Sequence, residues 1–442
     1  MVARVSPGNR GFFVGLICFI AVVFDGYDLV VYGTTIPALL EYEPWGLDAA
    51  EAGMIASYAL IGMLLGTLIS GFATDLLGRR KLFLTAICWF SLCMLACALA
   101  PSSLLFGLFR FLAGIGLGGV LPTAIALTVE FAPPHRRNFA SAIMSSGFSV
   151  GAILASVLGI VVIEEYGFRP MFAIGVLPLV LLAPVAWRWL PESVDYLVSK
   201  GRLGDAEAVA RRYGIPWPPP EGARAPRLRG RAALRPLFRP PFLGVAAVFA
   251  VATLISQLFI YGLSTWLPQI MRTAGYPLGS ALSFLVAMSA GAIGGAAVMS
   301  WLADRIGPRR VALGGFLIGA GSLLLLSAHP PTAVLYVAVV LAGVGGNGTA
   351  VILNGFIATW FPAVVRASAL GSIMTVARFG GILGPMLGGW IMAAGVPVNW
   401  NFYVFLLPAL AGALVVVLLP RTRTAPPPGE PLRQHTEEVG HA

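Results

Sequence analysis

The chain has 442 residues, of which 58% are hydrophobic and only 11% charged. That ratio excludes a soluble globular protein, because so little polar surface cannot cover so much apolar side chain. The net charge of +10 does not point to nucleic acid, since the basic residues fall in alternate loops rather than on one patch.

Twelve apolar segments of membrane-spanning length run over roughly 11–39, 49–73, 81–100, 103–131, 138–163, 169–190, 241–270, 278–302, 310–328, 332–361, 366–394 and 400–420. They predict an all-α membrane protein with twelve transmembrane helices. The first segment carries no trusted cleavage site and reads as a span, not a removed signal. It holds the stretch F-D-G-Y-D-L-V-V-Y-G, Phe24 to Gly33. Asp25 and Asp28 are three apart, so they share one side of a helix. The run stays apolar through Val30, Val31, Ile36 and Leu39. Two acids inside it are expected to face the bundle interior or a water-filled cavity and to do work there. Cys18, Cys88, Cys93 and Cys97 all lie within apolar segments and are expected to be free thiols.

Loops on one side carry Arg79, Arg80, Lys81, Arg136, Arg137, Arg305, Arg309, Arg310, Arg366, Arg421 and Arg423, together with a long basic linker. Loops on the other side carry Arg169 and Arg272 among acids such as Glu41, Glu43, Glu164 and Glu165. This asymmetry predicts that both termini and the linker are cytoplasmic, in a multi-pass protein of the plasma (inner) membrane. The linker begins P-E-S-V-D-Y-L, continues through an amphipathic stretch near Asp205–Tyr213, and becomes Pro- and Arg-rich from Pro216 to Pro241. The expected organisation is a six-helix bundle over 1–190, a cytoplasmic linker over 191–240, a second six-helix bundle over 241–420, and a disordered tail over 421–442.

An offset of 229 residues aligns the two bundles without gaps. Asp75, Gly78, Arg80 and Lys81 fall on Asp304, Gly307, Arg309 and Arg310. Gly114, Gly116 and Gly119 fall on Gly343, Gly345 and Gly348, and Arg137 and Gly151 fall on Arg366 and Gly380. Six-helix repeats keep one membrane orientation and relate by an axis along the membrane normal, with substrate at the midplane between them. The halves disagree at the charges. Asp25 falls on Leu254, Asp28 on Gln257, Arg110 on Val339, Glu130 on Thr359, and Arg378 on Ser149.

Helix rise brings Asp28, Arg110 and Arg378 to similar depth in a core about 30 Å thick. Buried charge persists by pairing, so Arg110 is expected beside Asp25 and Asp28, with these three handling a proton. Arg378 precedes a Gly-rich run and suits a carboxylate ligand, held bidentately; pairing with an Asp of the other half is the alternative. Tyr27, Tyr32, Tyr261, Trp266 and Phe379 are candidate cavity lining. Gln257, Asn347 and Asn354 are polar groups in apolar helices and need partners inside the bundle. Of these, Tyr32, Gln257, Tyr261, Trp266, Asn354, Phe379 and Arg378 form the expected substrate site.

The loop G-F-A-T-D-L-L-G-R-R-K, Gly71 to Lys81, places Asp75 after one helix and basic residues before the next. Glu130 is at the right depth to meet Arg79 or Arg80. With Asp304 and Arg309 in the second repeat, these charges are expected to latch the halves together at the cytoplasmic side in one conformation. No nucleophile–base pair or metal-ligand spacing is visible, and His135, His329, His435 and His441 sit at segment ends or in the tail. The reading therefore expects no enzyme activity, metal or cofactor.

The six-plus-six repeat, G-x-x-x-D-x-x-G-R-R between segments 2 and 3, and the Arg110–Gly118 run resemble the major facilitator superfamily. The helix-1 signature D-G-Y-D-L-V-V-Y-G-T-T-I-P, the Arg378 run R-F-G-G-I-L-G-P and Y-G-L-S-T-W-L-P at Tyr261–Pro268 resemble its aromatic acid:proton symporter branch. A departure is Pro308, where the first repeat has Arg79, and it implies a weaker second latch. The resemblance implies proton-coupled import of a benzoate-type carboxylate by a protein that works as a monomer in the bilayer. Another organic acid, such as a muconate-like dicarboxylate, or a sugar is the alternative.

Overall fold

The computed structural model describes residues 7–133, 136–217, 242–328 and 330–420. The Pro/Arg-rich linker piece from residue 218, His135, His329 and the tail with Arg421 and Arg423 lie outside the described residues. The first half contains α1 (Pro7–Leu40), α2 (Ala49–Leu77), α3 (Arg79–Ala98), α4 (Ser103–Phe131), α5 (Arg137–Tyr166) and α6 (Arg169–Trp189). Two linker helices follow, α7 (Val194–Ser199) and α8 (Leu203–Tyr213). The second half contains α9 (Phe242–Thr273), α10 (Leu278–Ile306), α11 (Pro308–Ser327), α12 (Thr332–Trp360), α13 (Ala363–Ala393) and α14 (Asn399–Val417). Twelve of these helices are long and apolar enough to cross a membrane. Large apolar side chains such as Phe72, Leu104, Leu181 and Leu414 remain exposed, as lipid-facing residues do.

Local chemistry sets the helix ends. Asp48 accepts from the Glu51 backbone N–H at 2.7 Å while the Glu51 side chain accepts from the Asp48 N–H, a reciprocal cap that starts α2. Gly78 and Gly307 each hold a positive φ, +88° and +92°, at the tight turns α2–α3 and α10–α11. The 229-residue repeat thus reproduces a backbone conformation that L side chains avoid.

Within each half, helices meet backbone to backbone. A Cβ at Gly151 would strike the Val23 carbonyl of α1, and one at Gly26 would strike the Phe148 carbonyl of α5. The second half repeats the contact with Gly380 against the Leu254 carbonyl. Such approach replaces the hydrophobic drive that lipid cannot supply. Gly26 therefore stays in the helix and admits α5 between the two acids.

The halves meet at the end opposite the basic loops. There Gly53 faces the Pro385 carbonyl and Gly389 faces the Ala49 carbonyl, so that an added Cβ would stand 2.7 and 2.6 Å away. Ser57 donates to the Ile382 carbonyl at 2.7 Å, and Arg272 pairs with Glu41 at 2.8 Å. Trp266 is fully buried beside this seam and donates its indole N–H to the Pro385 carbonyl at 2.7 Å.

Candidate functional site

Arg110 and Asp28 form the centre of the first half. Arg110 donates from Nη1 to Asp28 Oδ1 at 2.6 Å and from Nη2 to the Asp28 carbonyl at 3.3 Å. Both side chains are 1% exposed. The guanidinium also lies over the rings of Tyr32 and Phe172, at 5.5 and 5.9 Å, which adds cation–π attraction. The side-by-side depth expected from helix rise is the one the structure has. Tyr27 donates to the Met171 carbonyl and Tyr32 to the Ala52 carbonyl, both at 2.7 Å, so these phenols tie α1 to α6 and α2.

Asp25 differs from its neighbour. It is 1% exposed, yet its Oδ1 accepts no hydrogen bond among the described residues. It lies within electrostatic reach of Asp28 in its own half and of Arg378 in the other. Tyr261 on α9 feels both Arg378 and Asp25, and its ring lies about 3.0 Å from where a Gly381 side chain would begin. Asp25 and Arg378 are thus opposite charges on the two halves, each within electrostatic reach of the Tyr261 phenol.

A narrow cavity of about 40 Å³ lies between the halves, walled by α1, α5, α9, α10 and α12. Its lining is mostly apolar, including Leu29, Phe148, Ile260 and Met288. Tyr261, Ser149, Ser264, Ser289 and Asn347 supply the polar atoms. Tyr261 and Leu29, one helical turn beyond Asp25, line the cavity, whereas Asp25 and Arg378 themselves lie outside its lining.

The expected substrate residues separate into different places. Tyr261 lines the cavity. Tyr32 instead packs under Arg110 inside the first half. Trp266 is a buried wedge near the seam between halves, because its large ring fills the space left by Gly53, Gly388 and Gly389. Phe379 is 50% exposed and does not line this cavity; its side chain points about 100° around α13 from Arg378. Gln257 and Asn354 are half-buried, and Asn354 Oδ1 has no hydrogen-bond partner among the described residues. Ser289 and Ser264 were missed, being single serines in apolar runs. Ser149 had a signal, since it is the repeat mate of Arg378.

In this conformation the latch residues find their partners within their own halves. Arg79 pairs with Glu130 at 2.5 Å and with Asp195 at 3.6 Å. Glu130 further accepts from the Ser193 hydroxyl at 3.0 Å and the Val194 N–H at 2.6 Å, while the Arg80 side chain donates to the Trp187 carbonyl. In this conformation Arg79, Arg80 and Glu130 thus bind α3, α4 and α6 to the linker helix α7, not one half to the other. The reason is the P-E-S turn, which returns the chain from α6 directly beneath α4. Asp75 closes α2; in the second half Arg309 donates to the Val417 carbonyl, and Asp304 is exposed near the end of α10.

Similarity to known proteins agrees with this architecture. The model of the Major Facilitator Superfamily matches residues 18–299 and 283–441. The gentisate transporter of Corynebacterium glutamicum is 37% identical over 409 residues, covering 92% of this chain and 87% of that protein. The benzoate transport protein of Acinetobacter baylyi is 34% identical over 427 residues, covering 94% and 91%. The xylose transporter XylE from E. coli, in a partially occluded inward-open conformation, shares the fold with a TM-score of 0.75 at 17% identity, covering 93% of this chain and 100% of its own. With twelve membrane-length helices in two repeats and a family match running through both, the chain belongs to the major facilitator superfamily.

Proposed function

We propose that this protein is a secondary transporter that imports an aromatic carboxylate together with a proton by alternating access. It acts as a transporter in the plasma membrane, with the basic loops and both termini on the cytoplasmic side. The curated relatives that it resembles over most of its length carry gentisate and benzoate. The observation that carries the reading is the contrast between two acids. Asp28 is held by Arg110 within one half, whereas Asp25 keeps an unbonded oxygen within electrostatic reach of Arg378 on the other half.

Moving an anion inward against an inside-negative potential costs ~2.3 kcal/mol per charge per 100 mV. One co-transported proton cancels that term. In the proposed cycle, a proton on Asp25 releases Arg378, which then takes the substrate carboxylate through its planar fork. Loss of opposite charges between the halves lets them rock, and deprotonation toward the cytoplasm restores the Asp25–Arg378 attraction and expels the anion. The conformation described, with its seam opposite the basic loops, is the externally closed one.

The test is uptake by cells or proteoliposomes of labelled benzoate, 4-hydroxybenzoate, muconate and glucose, each with and without a protonophore. Saturable uptake of the aromatic acids, abolished by the protonophore, is expected. Glucose uptake without aromatic uptake overturns the proposal.

A further inference from the structure

The two repeats differ at one position on the cavity wall. In α4, Gly118 packs so tightly on α2 that an added Cβ would strike the Met63 carbonyl and stand 2.6 Å from the Thr67 nitrogen. The 229-residue offset puts Asn347 there in α12. An amide cannot occupy that glycine slot, and α12 changes its winding: residues Val344–Gly348 form a π turn. The extra residue in the turn rotates the helix face, and Asn347 lines the cavity. Its side chain makes no hydrogen bond among the described residues.

Ser289 on α10 stands close by. A Cβ at Gly343 would strike the carbonyl of Met288, the residue before Ser289, and Asn347 follows one turn beyond Gly343. Most hydroxyls in these helices return to their own backbone: Ser156 donates to the Ala152 carbonyl, Thr253 to Phe249 and Ser322 to Gly319. Ser289 departs from the habit. It is 7% exposed, lines the cavity, and its hydroxyl makes no hydrogen bond among the described residues. A buried polar side chain without a protein partner, aimed into an apolar cavity, is expected to meet a ligand or water.

We infer that Ser289 and Asn347 form a subsite that reads a polar substituent on the ring of the carried acid. This rests on the transport reading above, and adds the residues that select among aromatic acids. The cavity widens to admit the acid, with the carboxylate at its Tyr261 end on α9, toward Arg378 on α13. The ring lies among Leu29, Phe148, Ile260 and Met288. A hydroxyl on the ring meets the amide and hydroxyl of α12 and α10, which can both donate and accept. A methyl group of the same size leaves both protein groups unpaired, and sites built to bond a hydroxyl reject such isosteres strongly.

The experiment is competition against labelled benzoate uptake in proteoliposomes of the full chain. The competitors are 3- and 4-hydroxybenzoate and their methyl isosteres, 3- and 4-methylbenzoate. In the unaltered protein, one hydroxy acid is expected to compete at least about tenfold better than its isostere. Ser289→Ala and Asn347→Leu are each expected to shrink that gap to about threefold or less, while benzoate uptake persists. Equal competition by hydroxy and methyl acids in the unaltered protein overturns the subsite. So does an unchanged gap in both variants, with the transport reading intact. Absence of any aromatic uptake overturns the transport reading and the subsite with it.

Discussion

Arg110 and Asp28 hold one another at 2.6 Å in a setting that admits almost no solvent, and both belong to the same half of the molecule. Within the pair, Asp28 Oδ2 and Arg110 Nε lack hydrogen-bond partners among the described residues, as does the neighbouring Asp25 Oδ1. In the proposed cycle the pair serves as a fixed countercharge, and Asp25 is the acid whose partner changes.

The two acids consequently fail differently when altered. Asp28→Ala leaves a buried guanidinium uncompensated, which costs about 3–5 kcal/mol. A large drop in thermal unfolding temperature in detergent is expected, along with lost uptake. Asp25→Asn breaks no hydrogen bond at Oδ1, so stability stays near that of the unaltered protein while proton-driven accumulation disappears. Measuring unfolding and concentrative uptake on both variants separates the roles. Equal destabilisation, or normal accumulation by the Asp25 variant, contradicts the assignment.

Arg378→Lys keeps the charge and removes the planar fork. The half-saturation concentration for the carboxylate is expected to rise by about tenfold or more, with the protein still folded and inserted. An unchanged value removes Arg378 from the substrate site.

Glu130→Ala removes the acceptor shared by Arg79, Ser193 and the Val194 N–H. The first half loses its hold on α7, and about 2–4 kcal/mol of local stability goes with the charged bonds. Limited proteolysis is expected to cut within the linker earlier than in the unaltered protein. Arg272→Ala, at the other end, breaks an ion pair whose partners are partly exposed. Such pairs are worth about 0–1 kcal/mol, so uptake is expected to change by less than about threefold.

Gly389→Val adds branches where a single Cβ already meets the Ala49 carbonyl at 2.6 Å and Trp266 at 3.2 Å. The external seam cannot close around it. Labelling of cavity cysteines introduced at Ser149 or Ser264, by a reagent kept outside, is expected to increase, while uptake falls by about tenfold or more. External labelling equal to that of the unaltered seam rejects this account of closure.

Much of this was legible before any coordinates. Span number, the duplication and the Asp28–Arg110 meeting follow from hydropathy, an offset and helix rise, all of which are regular along the chain. The cavity lining was less legible. Tyr32, Trp266 and Phe379 share aromatic chemistry with Tyr261, and only rotation about each helix decides which ring meets the cavity. The π turn at Val344–Gly348 changes that rotation through hydrogen bonding that residue identity does not announce. Depth along the helices brings Glu130 to Arg79 or Arg80 without choosing between them, and their attachment to α7 depends on the path of the P-E-S turn, which spacing does not encode.

Around Gly53 and Gly389 the joint between the halves lays glycine against bare carbonyl. Surfaces of that kind have few side chains to disentangle, so they part and rejoin without waiting for rotamers to change. Resistance to parting then falls on discrete fasteners such as the Ser57 hydroxyl bond, with the exposed Glu41–Arg272 bridge adding little. The speed of the return stroke becomes a property that a handful of substitutions can tune without touching the chemistry at the centre.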